Sequence, residues 1–410
     1  MSPKYQSLCK AVIFLCTTAT LNVVYAQSGA SKSADDIKYV PISLQEYLVQ
    51  VESNSAAVGA KKLAVQSTKA QRPYMSTPNI NPSLTYSRGS YYNATPYTPY
   101  VSPGSNTYTL SGTIEGWGKL TARTNFSDAE ILRNESELNS IVKSARADAV
   151  FAYLDTFRVK KIYDSYENAI RKLVTKKEKA QTEPLITAQK NSANDLKYFA
   201  YTMGVFAGNT SADLLEPSGN LNAFKPREFK AQILVEQALN QRADILYFKD
   251  AIKSAQASFE MAKKNRNINL SPSIWLSQTP PYSSSGTDYK RTEAFGFSVT
   301  VPIPTNLLFD GELVQEANNK LSLELYLKDL KTRVIAEVNQ ALMQYQFAKT
   351  KLADEEKDYA QAVKDNSDNS AKSIILMRDK EVELLDAKIN HAKALIYLQR
   401  VSGDYEIPKI

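Results

Sequence analysis

Few side chains in this sequence are equipped for chemistry. The single histidine, His391, lies between Asn390 and Ala392 with no second imidazole or thiol to complete a metal set, so its expected role is packing. Both cysteines, Cys9 and Cys16, precede residue 26. No GxSxG and no phosphate-cradling glycine loop occurs. Carboxylates are plentiful but fall in helical charge patterns rather than in an apparent pocket. Among them Glu383 and Asp386 stand three apart, which places both on one face of a helix. Such an inventory points away from catalysis: no enzyme, no cofactor and no metal site is expected.

The N-terminus carries Lys4 and Lys10, an uncharged apolar run from Ala11 to Val24, and small residues ending at Ala26. That pattern predicts a secretory leader over residues 1–26, cut after Ala26. A lipid anchor on Cys16 is the competing reading, but Phe14 and Leu15 make a poor lipobox. The mature chain then has no thiol, which suits an oxidising periplasm. Losing Lys4 and Lys10 lowers the net charge from +7 to +5. That modest excess, spread through helices opposite acids, reads as a solvated surface and gives no reason to expect nucleic acid. No run after residue 26 approaches the roughly 18 apolar residues of a membrane-spanning helix. Any entry into a bilayer must therefore be by strands.

The elements that would position these groups are written twice. Residues 43–204 recur in order across 231–403: Asn79–Leu84 answers to Asn267–Ile274, and Ala188 to Gly204 spans the same 16 positions as Ala387 to Gly403. The expected units are 27–224 and 225–410, each a helix, a β-hairpin and a coiled-coil hairpin. Such duplication implies that neither copy buries its apolar face alone. Alternating steps of four and three from Leu138 reach Val142, Ala145, Ala149, Ala152, Thr156, Val159, Tyr163, Tyr166, Ile170 and Leu173. The same stepping from Val334 reaches Val338, Ala341, Tyr345, Ala348, Leu352, Glu355, Tyr359 and Ala362. Both are coiled-coil seams, on helices of about 50 residues or roughly 75–80 Å. Breaks near 176–184 and 366–370 predict returning helices, and shorter helices are expected over 44–69 and 233–264.

Ahead of each long helix lies a strand pair. Tyr108, Leu110, Gly112 and Ile114 alternate with Thr107, Thr109, Ser111 and Thr113; Phe295, Phe297, Val299, Val301 and Ile303 alternate with Gly296, Ser298, Thr300 and Pro302. Their expected partners are 82–87 and 270–277. Period two with small polar partners is the pattern of a barrel wall, lipid on one side and water on the other. A soluble sandwich is the competing reading. The intervening stretches 89–105 and 278–291 read as exposed loops, and Tyr91, Tyr92, Tyr97, Tyr100, Trp275, Tyr282 and Tyr289 are candidates for an aromatic girdle at a membrane interface. Four strands cannot close a barrel, and an open edge in lipid leaves backbone groups unpaired. The chain is therefore expected to oligomerise; three copies supply twelve strands.

The mature chain resembles the TolC-like outer membrane efflux proteins. The resemblance rests on Gln241-Arg242-Ala243-Asp244-Ile245, the Ala-spaced helix to Lys264, Pro272-Ser273-Ile274, Ser298 through Pro304, Leu308-Phe309-Asp310-Gly311 opening the long helix, and Glu383-Leu384-Leu385-Asp386-Ala387 on the return helix. No single motif is specific; their order across two halves is. The resemblance implies a mostly helical α+β fold of duplicated coiled-coil hairpins, a homotrimer with a twelve-stranded transmembrane barrel, and a helical tunnel descending into the periplasm. It also implies an exit duct served by a periplasmic adaptor and an inner-membrane pump in a tripartite efflux or type I secretion system. A periplasmic coiled-coil scaffold without a membrane barrel is the alternative.

Two departures bear on the partner. Met377 stands where the family's turn usually carries a glycine, and no comparable glycine occurs over Pro184–Gln189. The return segments also look about two heptads short, equivalent to a tunnel shallower by about 20 Å. In a trimer, Glu383 and Asp386 would each form a ring of three carboxylates at the periplasmic mouth, a candidate gate and selectivity element. Arg378, Lys380, Arg171, Lys172, Lys176 and Lys177 are the expected bridging partners; solvated helix-face acids are the competing reading. The transported solute is not legible, because a wide aqueous tube selects little.

Overall fold

In the computed structural model the described residues are 38–403, apart from 90–91, 96–97, 102–103, 177, 210–212, 222–223, 285, 304–309 and 366–369. The proposed leader, with Cys9 and Cys16, lies outside them, as do Pro304, Leu308 and Phe309.

The chain is mostly helical. Strand β1 (Tyr39–Ile42) leads into helices α1 (Leu44–Asn54) and α2 (Ala56–Met75), and then into β2 (Ser83–Gly89), β3 (Tyr92–Thr95), β4 (Thr98–Val101) and β5 (Ser105–Ser111). The 57-residue helix α3 (Lys119–Thr175) returns as α4 (Lys179–Phe206), and β6 (Leu214–Pro217) closes the first copy. The second copy repeats the order: α5 (Ala231–Gln241), α6 (Ala243–Asn265), β7 (Ser271–Thr279), β8 (Tyr282–Ser284), β9 (Thr287–Tyr289), β10 (Thr292–Thr300), the 55-residue α7 (Gly311–Asp365) and α8 (Ala371–Ser402). At 1.5 Å per residue, α3 and α7 each extend a little over 80 Å.

Each short N-terminal helix expected from the sequence is two helices, broken at equivalent places. Ser55 and Arg242 both adopt extended backbone, with φ/ψ of −62°/118° and −63°/131°. Ser55 caps the following helix by accepting from the Val58 amide. Arg242 is held by Asp244 at 3.0 Å and by Glu337 of α7 at 2.6 Å. The first long turn is also tighter than the sequence suggests: α4 resumes at Lys179 and contains Pro184. The stretches read as loops contain short hairpins, β3 on β4 and β8 on β9. A parallel pair, β1 on β6, was not expected from the pattern; it ties Tyr39 to Leu214 and Ile42 to Pro217.

The layers share one order. The sheet runs β10-β7-β5-β2, antiparallel throughout. Near the sheet α7 packs on α6, α6 on α3 and α3 on α2; farther away α7 packs on α8, α8 on α3 and α3 on α4. Both seams are buried where the layers meet: Ala149, Ala152, Thr156, Val159 and Leu173 on α3, and Val334, Val338, Ala341, Tyr345, Ala348 and Leu352 on α7. The main core gathers Tyr47, Leu154, Phe157, Met203, Ile245, Leu395 and Leu398; a separate cluster of Ala169, Leu173, Leu185 and Ile374 seals the tip. Among the described residues no helix is long and apolar enough to cross a membrane.

Candidate channel wall and gate

The register of the sheet sorts its residues onto two faces. Leu84 pairs with Leu110, Leu110 with Ile274 and Ile274 with Phe297; Tyr86 pairs with Tyr108, Tyr108 with Leu276 and Leu276 with Phe295. All eight are exposed, Phe295 to 88%. The bridge between Ile114 and Leu270 extends this apolar face toward the helices. The opposite face carries hydroxyls that pair across strands: Ser83 with Ser111 at 2.7 Å, Thr107 with Ser277 at 3.1 Å and Ser273 with Ser298 at 2.7 Å. Strand stiffness and period two put these sets on opposite sides. Such a large continuous exposed apolar face needs a cover.

The described candidate aromatics fall on several different strands. Tyr282 and Tyr289 face each other across the β8–β9 hairpin, their rings stacked at 4.7 Å. Tyr92 and Tyr100 belong to β3 and β4, one position out of register: Tyr92 pairs with Val101 and Asn93 with Tyr100. Tyr91 and Tyr97 lie outside the described residues. Trp275 pairs with Gly296 and Thr109, so it stands on the hydroxyl face, away from Ile274 and Leu276. A Cβ on Gly296 would lie 2.5 Å from the indole, so the missing side chain makes room for the ring. Sequence reasoning missed Tyr86 and Tyr108, whose rings stand 5.2 Å apart on the apolar face; their even spacing with Leu84 and Leu110 was the available signal.

The candidate gate acids are both engaged within the chain. Asp386 of α8 accepts two hydrogen bonds from Arg158 of α3, at 2.6 and 2.9 Å. Glu383 accepts from Lys380 on its own helix at 2.6 Å. Hydrogen bonding to the carboxylates raises the pKa of both Arg158 and Lys380. The Arg158 pair is one rung of a ladder between the first copy's long helix and the second copy's return helix. Lys393 meets Asp155 at 2.5 Å, Arg400 meets Asp148 at 3.1 Å, Glu381 meets Ser165 at 3.3 Å, and the Arg378 guanidinium lies 4.5 Å over Tyr166. Of the expected bridging partners, Lys380 is in place and Arg378 is turned to Tyr166 and Asp379, while Arg171 pairs with Glu167. Lys177 lies outside the described residues. The missed partner, Arg158, had a signal in the sequence: Asp386, Lys393 and Arg400 repeat every seven residues, as Asp148 and Asp155 do. Glu383 and Asp386 also sit deeper than a mouth. They follow the α8 start at Ala371 by about 18 and 22 Å, and the tip itself is the apolar cluster around Leu173 and Ile374.

His391 is fully buried in α8, its ring 5.3 Å from that of Tyr345, and neither ring nitrogen has a hydrogen-bond partner among the described residues. Burial, then Lys349, lowers its pKa below the usual 6.5.

No family model and no curated protein matches this sequence. Solved structures do match, over nearly the whole chain. The channel-forming protein CusC superposes with a TM-score of 0.64 at 14% identity, covering 92% of this chain and 95% of its own. The Campylobacter jejuni CmeC outer membrane channel gives 0.60 at 14% identity over 88% and 86%, and the Vibrio cholerae outer membrane protein VceC gives 0.60 at 12% over 88% and 96%. This chain has the TolC-like outer membrane factor fold. At such identities the likeness is one of fold.

Proposed function

We propose that this protein is an outer membrane exit duct: a homotrimer whose three sheets close a twelve-stranded barrel in the membrane and whose helices form a tunnel into the periplasm. The observation that carries the reading is the shared order of the layers. At every level the second copy's outer element (β10, α7) forms one edge and the first copy's (β2, α2, α4) forms the other. Among the described residues neither sheet edge has a partner strand, and both helical edges expose apolar side chains: Val314, Leu321, Leu325, Met343 and Phe347 on α7, and Leu63, Tyr198 and Val205 on α2 and α4. Two different edges join head to tail, and such a contact closes into a ring when the rotation allows. The sheet's apolar face then meets lipid and its hydroxyl face lines a water-filled bore.

In that ring Glu383 and Asp386 supply the charged constriction of the tunnel, with Lys380 and Arg158 balancing them. Solute moves passively, driven by an inner-membrane pump through a periplasmic adaptor, in efflux or type I secretion; the chain itself carries out no reaction. The two domain units, 27–224 and 225–410, are read as the two repeats of one wall. CusC, CmeC and VceC, which share the fold, support the outer membrane assignment.

Electron cryo-microscopy of the detergent-solubilised mature protein tests this directly. A threefold particle with a closed barrel is the expected result. A soluble particle with no closed barrel would leave only a periplasmic scaffold.

A further inference from the structure

The duplicated Asn-Ile-Asn motif has no part in the duct described above. In the second copy it builds a rigid turn around Trp117. Asn269 accepts from the Gly116 amide at 3.0 Å and from the Lys119 ammonium at 2.8 Å, while the Asn267 side chain donates to the Trp117 carbonyl at 2.5 Å. Gly116 admits no side chain, because a Cβ there would stand 2.7 Å from the Ile268 carbonyl; Gly118 holds a left-handed φ of 81°. The backbone on both sides of Trp117 is therefore fixed, yet the indole is 91% exposed.

Its surroundings are those of a membrane boundary. Trp117 joins the sheet to α3, one turn beyond Ile114, the last rung of the apolar face. The stem of Lys264 crosses Gly118, with its ammonium 3.7 Å from where a Cβ would stand. Lys263 and Arg266 flank it at the end of α6. Because α3 is covered by α6 on one side and α2 on the other, ring closure through α7 and the α2 and α4 edge leaves this surface open. Tryptophan and lysine favour the level of lipid headgroups, where an apolar ring and a polar edge are both accommodated.

Resting on the duct reading, we propose that Trp117 and Lys264 form an anchor on the periplasmic-side headgroups of the membrane, an anionic glycerophospholipid surface, and so fix how deeply the barrel sits.

The chain contains two tryptophans, which makes the test direct. In the full mature chain Trp275→Phe leaves Trp117 as sole reporter. It is reconstituted into phosphatidylglycerol and phosphatidylethanolamine vesicles brominated at shallow or deep acyl positions. The expected result is blue-shifted emission, quenched more by shallow than by deep bromine, with the quenching weakened in Lys264→Gln. A control with Trp117→Phe, Trp275→Phe and Phe297→Trp reports the barrel wall. Quenching of the control with water-like, unquenched Trp117 emission overturns the anchor and leaves the duct standing. Loss of quenching in both overturns the duct and the anchor together.

Discussion

Arg158 on α3 and Asp386 on α8, 228 residues apart, form a two-point ion pair that ties the first repeat to the second. Both side chains are partly exposed, at 40% and 33%, so screening limits the pair to about 1 kcal/mol. Asp386→Asn should lower the melting temperature by about 1–2 °C, because the unfolding entropy of about 2 cal/mol/K per residue dilutes that loss over so long a chain. The exchange Arg158→Asp with Asp386→Arg should recover most of it. Thermal unfolding of Asp386→Asn, of Arg158→Asp alone and of the exchange checks this, and an exchange no better than either single variant would show that the ladder does not set helix register.

The seams and the strand alternation were legible in the sequence because each is a local periodicity that a buried face enforces. Every residue from Val334 to Leu352 on the second seam is buried as the stepping requires. Glu355 and Tyr359 lie beyond the packed length and are only half-buried. The breaks at Ser55 and Arg242 were not legible, because the helix pattern continues through both; capping by Ser55 and the ion pairs of Arg242 with Asp244 and Glu337 override it. Trp275 was placed with the loop tyrosines by residue type. Its register against Gly296, readable from the alternation of Phe295 and Phe297, puts it on the hydroxyl face instead. Lys380 was legible as a partner of Glu383 because it is local; Arg158 was missed because its contact joins the two repeats, and only the seven-residue spacing of Asp386, Lys393 and Arg400 hints at it.

Gly296 exists to admit that indole. With a Cβ 2.5 Å from the ring, Gly296→Ala must displace Trp275 or part β7 from β10, and overpacking of this kind costs about 1–3 kcal/mol. In a Trp117→Phe background the remaining tryptophan should shift its emission and the protein should melt earlier. Unchanged emission would mean the ring is not seated over Gly296.

Tyr345 clamps the connection between the repeats. Its hydroxyl accepts from the Arg227 amide at 2.7 Å and donates to the Arg227 carbonyl at 2.8 Å. Tyr345→Phe removes both bonds and should cost about 1–3 kcal/mol, since a partly buried amide and carbonyl lose their partner. Faster proteolysis within 218–230, with the helices intact, is the expected signature.

His391 should make stability pH-dependent in mild acid. Its folded pKa is lowered by burial and by Lys349, so as pH falls below about 6.5 the unfolded chain takes up the proton first and stability drops until the folded pKa is passed. Lys161, Lys225 and Lys388 around the adjoining cavity oppose a further positive charge, and Glu356 favours it. Melting temperatures at pH 7.5 and pH 5 should diverge for the wild type, and His391→Leu should lessen the difference. An equal divergence in the variant would assign it to carboxylates elsewhere.

As proposed gate acids, Glu383 and Asp386 predict a signature in conduction that their pairing makes asymmetric. Glu383→Gln removes one negative charge per chain and leaves Lys380 exposed beside it. Asp386→Asn instead leaves the Arg158 guanidinium without its counterion, so the same change in charge also frees a cation toward whatever the ring encloses. Rings of carboxylate attract and bind multivalent cations, and neutralising them weakens that binding. Block of single channels by divalent cations should therefore weaken several-fold in the double variant, with cation preference falling further for Asp386→Asn than for Glu383→Gln. Glu383→Asp, which keeps the charge, should retain the block. Unchanged block in the double variant would remove both residues from the conduction path and leave Arg158 and Asp386 as a fastening between the two repeats.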